Sequence, residues 1–458
     1  MGIERVKTGS DELDQVVKGG FPANTLNVIM GAPGTGKTIL VEQLVFANAG
    51  PKSVALYLTT LSEPLDKFIA HGQSYGFFDS AKIGESVLYE DLGVTVRDRG
   101  INQLAEIVAE LLARLKPRII AIDSFKALSE LIDGSRDRRT ILFDLASVLT
   151  SYSCTTFLVG EYAGEMMTEL PEFAIADSIL LLIKEATGVR EQRFLKVEKL
   201  RGSGSIPGMH AFNISQSGIE VFPRLLTPTI APVYTANVER VNTGISGLDA
   251  MIERGFWRGS TTLVAGPTGS GKTMIGLQFV REGALNGEPG IYAGFQENPV
   301  QLARIMQHFD WDPATLLGGG AFELLYRSPV EMQLDEVATD LFAHVREGRV
   351  KRVVIDALGD LKKSSSDPQR FSDFMYALTQ WFAVQNVTCM MMYELHELFE
   401  SSAVSDEEIS NMSDNVILLR FTRDVEMART VRIIKTRGSA HDHRERPFEI
   451  SNRGVVIQ

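Results

Sequence analysis

The chain has 458 residues, 44% of them hydrophobic and 23% charged, which predicts two or three globular domains with sizeable cores. Its formal net charge of −12 is unlike that of a nonspecific nucleic-acid binder, which needs clustered Lys and Arg. The net charge does not exclude a local basic channel in a ring. The N-terminus lacks the pattern of a secretory signal, and no apolar run reaches the roughly 20 residues of a membrane helix. The two cysteines, Cys154 and Cys389, lie far apart in the sequence and suit neither a disulfide framework nor a zinc site. We therefore expect a cytoplasmic protein that binds neither nucleic acid nor membrane.

The chain repeats itself once. The segment that begins at Arg5, RVKTGSDELDQVVKGGFPANTLNVIMGAPGTGKT, matches the segment that begins at Arg240, RVNTGISGLDAMIERGFWRGSTTLVAGPTGSGKT. The offset of 235 residues is that of a whole domain rather than a solenoid repeat. Residues 223–238 contain three prolines and are typical of a linker. We predict a first domain at 1–225, a linker at 226–238 and a second domain at 239–458.

Short apolar runs alternate with amphipathic stretches in each repeat. In the first repeat the runs lie at 26–30, 54–58, 119–122 and 156–159. Strands and helices that alternate in this way form βαβ units around a mostly parallel central sheet. The sequence thus predicts an α/β protein with two tandem domains and helices on both faces of each sheet.

Each repeat carries a glycine-rich loop between an apolar run and an amphipathic one, GAPGTGKT at 31–38 and GPTGSGKT at 266–273. In such a loop the glycines let backbone N–H groups point at phosphates, the lysine neutralises β/γ-phosphate charge, and the last hydroxyl can bind Mg²⁺. The following helix N-terminus adds partial positive charge. We predict ATP binding by Gly34, Thr35, Gly36, Lys37 and Thr38, and by Gly269, Ser270, Gly271, Lys272 and Thr273.

Asp123 and Asp356 each end an apolar run and match each other in the two repeats. A carboxylate at a strand end near the phosphate loop can hold Mg²⁺ through water, together with the loop threonine. The alternative is a helix N-cap, because Ser124 and Ala357 open the next segments. The recurrence favours the metal role.

These motifs resemble those of the RecA-like ATPases of the KaiC family, over nearly the whole chain. The resemblance rests on the R-V-x-T-G-x-x-x-L-D opening, the phosphate loops, the strand-end aspartates, and K-L-R-G-S at 199–203 with K-T-R-G-S at 435–439. It implies two tandem RecA-like P-loop NTPase domains, a homohexameric double ring with ATP and Mg²⁺ between neighbouring subunits, and signalling or clock-type partner proteins. It does not by itself imply timekeeping.

The resemblance also assigns the K-x-R elements, which would contact the ATP of the adjacent subunit. Residues two apart on a strand point to the same face, so both cations of a pair can reach one anionic ligand, as an arginine finger does in trans. A solvated basic turn is the alternative. The residues that the resemblance assigns to this edge of the nucleotide site are Lys199, Leu200, Arg201, Lys435, Arg437 and His441.

Members of the family have two adjacent glutamates after the strand that follows the phosphate-loop helix, and one of them activates the attacking water or hydroxyl. This chain departs from the family at that place. The first repeat reads LYLTTLSEP there, without an adjacent pair, and offers Glu63. The second reads YAGFQENP, with Gln296 and Glu297. Glutamine cannot accept a proton but can orient water. We therefore predict that the second domain carries most of the ATP turnover, with Glu297 as base or water-orienting group.

A second departure concerns the adjacent Ser and Thr that receive phosphate in the family. The matching segment is SDEEISNMSD at 405–414, in which Ser410 matches the serine and Asn411 replaces the threonine. We predict autophosphorylation at Ser410, with Ser405 and Ser413 as fallback acceptors. The resemblance also implies an extended C-terminal tail, which we expect to be missing from a sequence that ends at Gln458.

Three classes of function agree with these features. The first is a KaiC-like ATPase and serine autokinase that works as a homohexamer. The second is a nucleotide-gated scaffold with slow hydrolysis, which the altered glutamates keep open. The third is a DNA-handling RecA-like motor, which shares the fold but not the expected basic surface.

Overall fold

The computed structural model describes residues 4–60, 64–132, 135–162, 167, 170–187, 190–228, 237–346, 350–365, 367–395, 407–422 and 428–458. The chain divides into two compact units, Met1–Arg224 and Leu225–Gln458. Leu225 packs against the hydrophobic core of the second unit. Among the described residues, no helix combines the length and the apolar character that crossing a membrane would require.

The first unit is built from short strands and helices in alternation. Its strands are β1 (Arg5–Val6), β2 (Phe21–Pro22), β3 (Leu26–Gly31), β4 (Ala55–Thr59), β5 (Val87–Asp91), β6 (Ile119–Asp123), β7 (Thr155–Gly160), β8 (Ser178–Thr187), β9 (Arg190–Leu200), β10 (Met209–Ser215) and β11 (Gly218–Phe222). Its helices are α1 (Asp11–Val16), α2 (Lys37–Asn48), α3 (Leu65–Gly72), α4 (Leu92–Arg99), α5 (Leu104–Leu115), α6 (Phe125–Glu130), α7 (Ser135–Ser151) and α8 (Pro171–Ile175), with 3₁₀ turns at Ser80–Lys82 and Ile101–Gln103.

The second unit repeats this order. Its strands are β12 (Arg240–Val241), β13 (Phe256–Trp257), β14 (Thr261–Gly266), β15 (Gly290–Gly294), β16 (Phe322–Tyr326), β17 (Arg352–Asp356), β18 (Thr388–Glu394), β19 (Asn415–Phe421), β20 (Arg429–Thr436), β21 (Arg446–Ser451) and β22 (Gly454–Ile457). Its helices are α9 (Ser246–Met251), α10 (Lys272–Leu285), α11 (Pro299–His308), α12 (Pro313–Gly318), α13 (Leu334–Arg346), α14 (Leu358–Lys363), α15 (Pro368–Val384) and α16 (Glu407–Met412).

The two large sheets share one topology. In the first unit the strand order is β5-β4-β6-β7-β3-β8-β9-β10-β11, and in the second it is β16-β15-β17-β18-β14-β19-β20-β21-β22. The first six strands of each list pair in parallel and the last three pair antiparallel. The carboxyl ends of the parallel strands therefore meet at one edge of each sheet, where ligands of open α/β sheets bind.

Each sheet is buried on both faces, which explains why its central strands are continuous apolar runs rather than alternating ones. In β3, Ile29 faces one core cluster, while Val28 and Met30 face the other. In β14, Val264 and Leu263 divide in the same way between two clusters. The prediction of two tandem α/β domains with helices on both faces of a mostly parallel sheet is confirmed.

Candidate nucleotide-binding sites

The phosphate loops lie between the central strand of each sheet and the helix that follows it. Lys37 begins α2 and Lys272 begins α10, so each loop ends at a helix N-terminus. The helix N-caps are Gly36, with φ of +98°, and Gly271, with φ of +102°. A Cβ atom at Gly271 would lie 2.9 Å from Ile450 Cδ1, which can move aside, so it is the backbone conformation that requires glycine at this position.

The lysine of each loop is buried inside the loop. Lys37 Nζ donates to the carbonyl of Ala32 at 2.8 Å, and Lys272 Nζ donates to the carbonyls of Gly266 and Pro267 at 2.8 and 2.9 Å. Burial lowers the pKa of both ammonium groups, and nearby carboxylates partly offset this shift. The poorly solvated cation of each loop therefore gains from an anionic ligand such as a phosphate.

The strand-end aspartates contact the loop threonines. Thr38 Oγ1 donates to Asp123 Oδ2 at 2.7 Å, and Thr273 Oγ1 donates to Asp356 Oδ2 at 2.7 Å. The N-cap positions of the helices that follow, α6 and α14, are Ser124 and Ala357, so each aspartate lies one residue before the N-cap.

This hydroxyl and carboxylate pair fits Mg²⁺. Both donors are hard oxygen atoms, and they lie beside the helix N-terminus that would hold the phosphates. In the second domain, burial raises the pKa of Asp356, while hydrogen bonds from Tyr292 and Thr273 oppose that rise. A buried carboxylate of this kind is stabilised as an anion when a cation lies next to it.

The two domains differ at the position expected to hold the catalytic base. Thr60 N donates to the Asp123 carbonyl at 3.1 Å, and Phe295 N donates to the Asp356 carbonyl at 3.0 Å, so Thr60 and Phe295 are equivalent. In each repeat, three residues separate this position from a proline. Counting along the sequence therefore matches Gln296 with a leucine, Glu297 with a serine, and Glu63 with an asparagine. Glu63 itself lies outside the described residues.

Glu297 lines the cleft of the second domain, a space of about 260 Å³ that also includes Lys272, Gln296 and Asp356 in its walls. Burial raises the pKa of Glu297, and the charges of Asp356 and Asp360 raise it further, while Lys272 opposes them. A half-buried carboxylate whose pKa is raised is a stronger base and is suited to accept a proton. The first-domain cleft is larger, about 600 Å³, and Glu161, Lys126 and Glu130 lie in its wall.

The lysines of the K-x-R elements follow a β-bulge. Between β8 and β9 the register shifts next to Lys199, and between β19 and β20 it shifts next to Lys435. A bulge redirects the side chains around it. Lys199 Nζ donates to the Phe173 carbonyl at 3.2 Å, and Lys435 Nζ donates to the carbonyls of Ser410 and Ser413 at 2.9 and 2.7 Å. Each lysine thus contacts the helix, α8 or α16, that precedes the hairpin.

The arginines lie one residue beyond the strand ends and are arranged alike in both domains. Arg201 forms an ion pair of 3.8 Å with Asp177, and Arg437 forms one of 3.7 Å with Asp414. Both arginine side chains are more than half exposed, at 59% and 55%. Neither they nor the two lysines are among the described residues that line the cleft of their own domain. The cations of the K-x-R elements therefore belong to a different surface from the phosphate loop of the same domain. Leu200, which lies between Lys199 and Arg201, is the last residue of β9.

His441 lies in the same element, close to His443, with ring centroids 4.3 Å apart. Burial lowers the pKa of His441, and the neighbouring His443 lowers it further, so the neutral ring is favoured. Among the described residues, three buried polar atoms of this stretch have no hydrogen-bond partner: Thr436 Oγ1, Ser439 Oγ and His441 Nε2. Buried polar atoms are rarely left unpaired, so these three atoms can accept or donate a hydrogen bond to water or to a group from outside the chain.

The segment predicted to accept phosphate lies against the same edge. Ser410 is half-buried in α16, and its carbonyl accepts a hydrogen bond from Lys435, while Arg437 Nη2 donates to the carbonyl of Asn411 at 2.6 Å. Ser413 is fully buried, which makes it a poor fallback acceptor. Ser405 lies outside the described residues.

Two further pairs of residues belong to the sites but were not found from the sequence. The hydroxyl of Tyr57 donates to Asp123 Oδ2 at 3.1 Å, and that of Tyr292 donates to Asp356 Oδ2. Glu161 and Glu394 lie in the walls of the two clefts, and Thr268 of the second loop donates to Glu394. Both pairs match between the repeats, so a comparison of polar positions in the two halves could have found them.

The sheet order, the two phosphate loops and the two threonine–aspartate pairs define a tandem RecA-like P-loop ATPase fold. A sequence profile described as "ATPase: KaiC" matches residues 6–225 and 241–458. The chain therefore belongs to the KaiC ATPase family.

Curated relatives are similar to the chain over its full length. A protein named circadian clock oscillator protein KaiC from Picosynechococcus sp. is 24% identical over 469 residues, which cover 100% of this chain and 90% of the relative. The proteins of the same name from Parathermosynechococcus lividus and Synechococcus elongatus are 27% and 26% identical, cover 100% of this chain, and are themselves covered to 86% and 89%.

Proposed function

We propose that the chain hydrolyses ATP as a ring of identical subunits, with most of the turnover in the second domain. The observation that carries the proposal is the cleft in which Glu297 lies with Lys272 and the Thr273–Asp356 pair. The first domain has the same loop and the same threonine–aspartate pair, but counting places a serine opposite Glu297. The first domain then acts mainly as a nucleotide-stabilised ring.

In this mechanism the second phosphate loop binds ATP through its backbone N–H groups and through Lys272. Mg²⁺, when bound, neutralises β/γ-phosphate charge. Thr273 and Asp356 are the residues that would hold it. Glu297 accepts a proton from the attacking water, and the amide of Gln296 orients that water.

The ring follows from the placement of the cations. Lys199, Arg201, Lys435 and Arg437 lie away from the clefts of their own domains, and the polar atoms beside Arg437 lack partners among the described residues. An ATP phosphate from a second copy of the chain would neutralise these cations and accept hydrogen bonds from the polar atoms beside Arg437. Each active site is then complete only at an interface between subunits.

The proposal extends to autophosphorylation of Ser410. Because Lys435 contacts the backbone of Ser410, the serine lies at the edge that meets the neighbouring ATP. In the first domain, Lys199 contacts the buried Phe173 in the equivalent way, and no hydroxyl is present at that position. This difference restricts the acceptor role to the second domain.

The test compares Glu297→Gln with Glu63→Gln in the full chain, with nucleotide occupancy measured in each. Removal of the general base lowers turnover by roughly 10²–10⁴-fold without loss of ATP binding. Glu297→Gln is expected to show this loss and Glu63→Gln to retain most of the rate. A larger loss from Glu63→Gln reverses the assignment, and a wild-type chain that binds ATP in a ring without measurable turnover supports the scaffold function instead.

A further inference from the structure

The side chain of Gln296 is held by a residue of the helix that follows the strand-end aspartate. Gln296 follows β15, where the Phe295 N–H donates to the Asp356 carbonyl at 3.0 Å and fixes the backbone. From there its Nε2 atom donates to Asp360 Oδ2 at 2.9 Å. Gln296 also lines the second-domain cleft beside Glu297.

Asp360 is a buried carboxylate, with 5% of its surface exposed. It lies in α14, four residues after Asp356 in the sequence, and Lys363 approaches its other oxygen at 3.7 Å. An ionised carboxylate accepts hydrogen bonds and donates none, so it selects the amide nitrogen of Gln296 as its partner. The carbonyl oxygen of the same amide, Oε1, is then the atom that remains to accept a hydrogen bond.

The pair is specific to the second domain. The helices α6 and α14 are equivalent, and the position of Asp360 in α14 corresponds to Ala127 in α6. The sequence position that corresponds to Gln296 is a leucine. Both members of the pair are therefore absent together from the domain that also lacks a match for Glu297.

We propose that Asp360 is a positioning residue for ATP hydrolysis in the second domain. By holding Gln296 Nε2, it keeps Oε1 oriented to accept a hydrogen bond from the attacking water while Glu297 takes the proton. This inference rests on the proposed function. A freely rotating glutamine would present either end of its amide to the water, and the nitrogen end cannot accept.

The experiment measures kcat and KM for ATP hydrolysis by the full chain carrying Asp360→Ala, Gln296→Ala or both. We expect Asp360→Ala to lower kcat roughly 10-fold or more, because Gln296 then loses the carboxylate that orients its amide, with unchanged equilibrium binding of ATP. The double variant should be no slower than Gln296→Ala, because residues that act as a unit are non-additive. Lys363→Ala, which removes the largely exposed neighbour of Asp360, should retain the wild-type kcat.

A reversed pair separates positioning from a purely structural role. Gln296→Glu alone places two carboxylates against each other and should lower kcat, whereas Gln296→Glu with Asp360→Asn restores one donor and one acceptor and should recover it. Suppose first that Glu297→Gln abolishes turnover, so that the proposed function holds. The inference is then overturned if Asp360→Ala leaves kcat unchanged, or if its effect on kcat adds to that of Gln296→Ala. If Glu297→Gln leaves turnover intact, the proposed function fails and the positioning role fails with it.

Discussion

A buried arginine at the start of β17 allows a quantitative prediction about the stability of the second domain. Arg352 is 1% exposed and donates to Glu288 Oε2 through Nε at 2.9 Å and through Nη2 at 2.7 Å. It also donates to the carbonyls of Asn242 and Phe279 at 2.8 and 3.0 Å. Glu288→Ala leaves this cation buried without its carboxylate.

The expected cost is at the lower end of the range for a broken buried ion pair. Removing one partner of such a pair typically costs about 3–5 kcal/mol. Glu288 is 20% exposed and Arg352 keeps its two carbonyl acceptors, so we expect about 3 kcal/mol. With a urea m-value of roughly 3 kcal/mol/M, the midpoint of unfolding should fall by about 1 M.

Tryptophan fluorescence reports this transition selectively, because Trp257, Trp311 and Trp381 all belong to the second unit. The matched control replaces the pair by the residues at the equivalent positions of the first repeat, Arg352→Ile with Glu288→Ser. Since it leaves no unpaired buried charge, the double variant should be more stable than Glu288→Ala. The reasoning would be refuted if the urea midpoint of Glu288→Ala fell by less, relative to the wild type, than that of the double variant.

The same pair gives the sign of a pH dependence. Burial opposes ionisation of Glu288, but hydrogen bonds from Arg258 and Arg352 outweigh it and hold its pKa below the ordinary value. A lowered pKa in the folded state contributes stability above the unfolded pKa, and this contribution is lost as pH falls through the folded value. The stability difference between the wild type and Glu288→Ala should therefore shrink below about pH 4.

Three further predictions concern the nucleotide sites. Mass by light scattering should rise towards a hexamer when Mg-ATP or a slow analogue is added, and Lys37→Ala or Arg437→Ala should weaken this assembly; a monomer with ATP in both sites would contradict it. Peptide-level mapping after incubation with Mg-ATP should find phosphate on Ser410 and none in a Ser410→Ala variant, and phosphate on another residue of the wild type would show that the acceptor was misassigned. Gly271→Ala forces a Cβ to within 2.9 Å of Ile450 at φ of +102°, and should lower ATP affinity at the second site by at least about 10-fold. Gly318→Ala, at an open position with nothing within 4 Å, is its control and should bind ATP as the wild type does.

The sequence by itself determined the tandem organisation, the fold class and the two phosphate loops. These features depend on residues that are close together in the chain. A loop such as 266–273 needs particular glycines at fixed spacing to turn at a helix N-terminus, and the run at 26–30, found as β3 at Leu26–Gly31, is buried on both faces. The match between the two repeats then identified Asp123 and Asp356, which the structure places against the loop threonines.

The tertiary structure alone decided which distant side chains meet. Gln296 reaches Asp360 because β15 pairs with β17, and the Gly294–Asp356 register brings the two strand ends together. Tyr292 reaches Asp356 for the same reason, since it points from the neighbouring strand towards the same edge. Lys435 contacts Ser410 because the bulge beside it turns its side chain towards α16. Such contacts depend on strand order and register across separations of tens of residues, and no local sequence pattern encodes them.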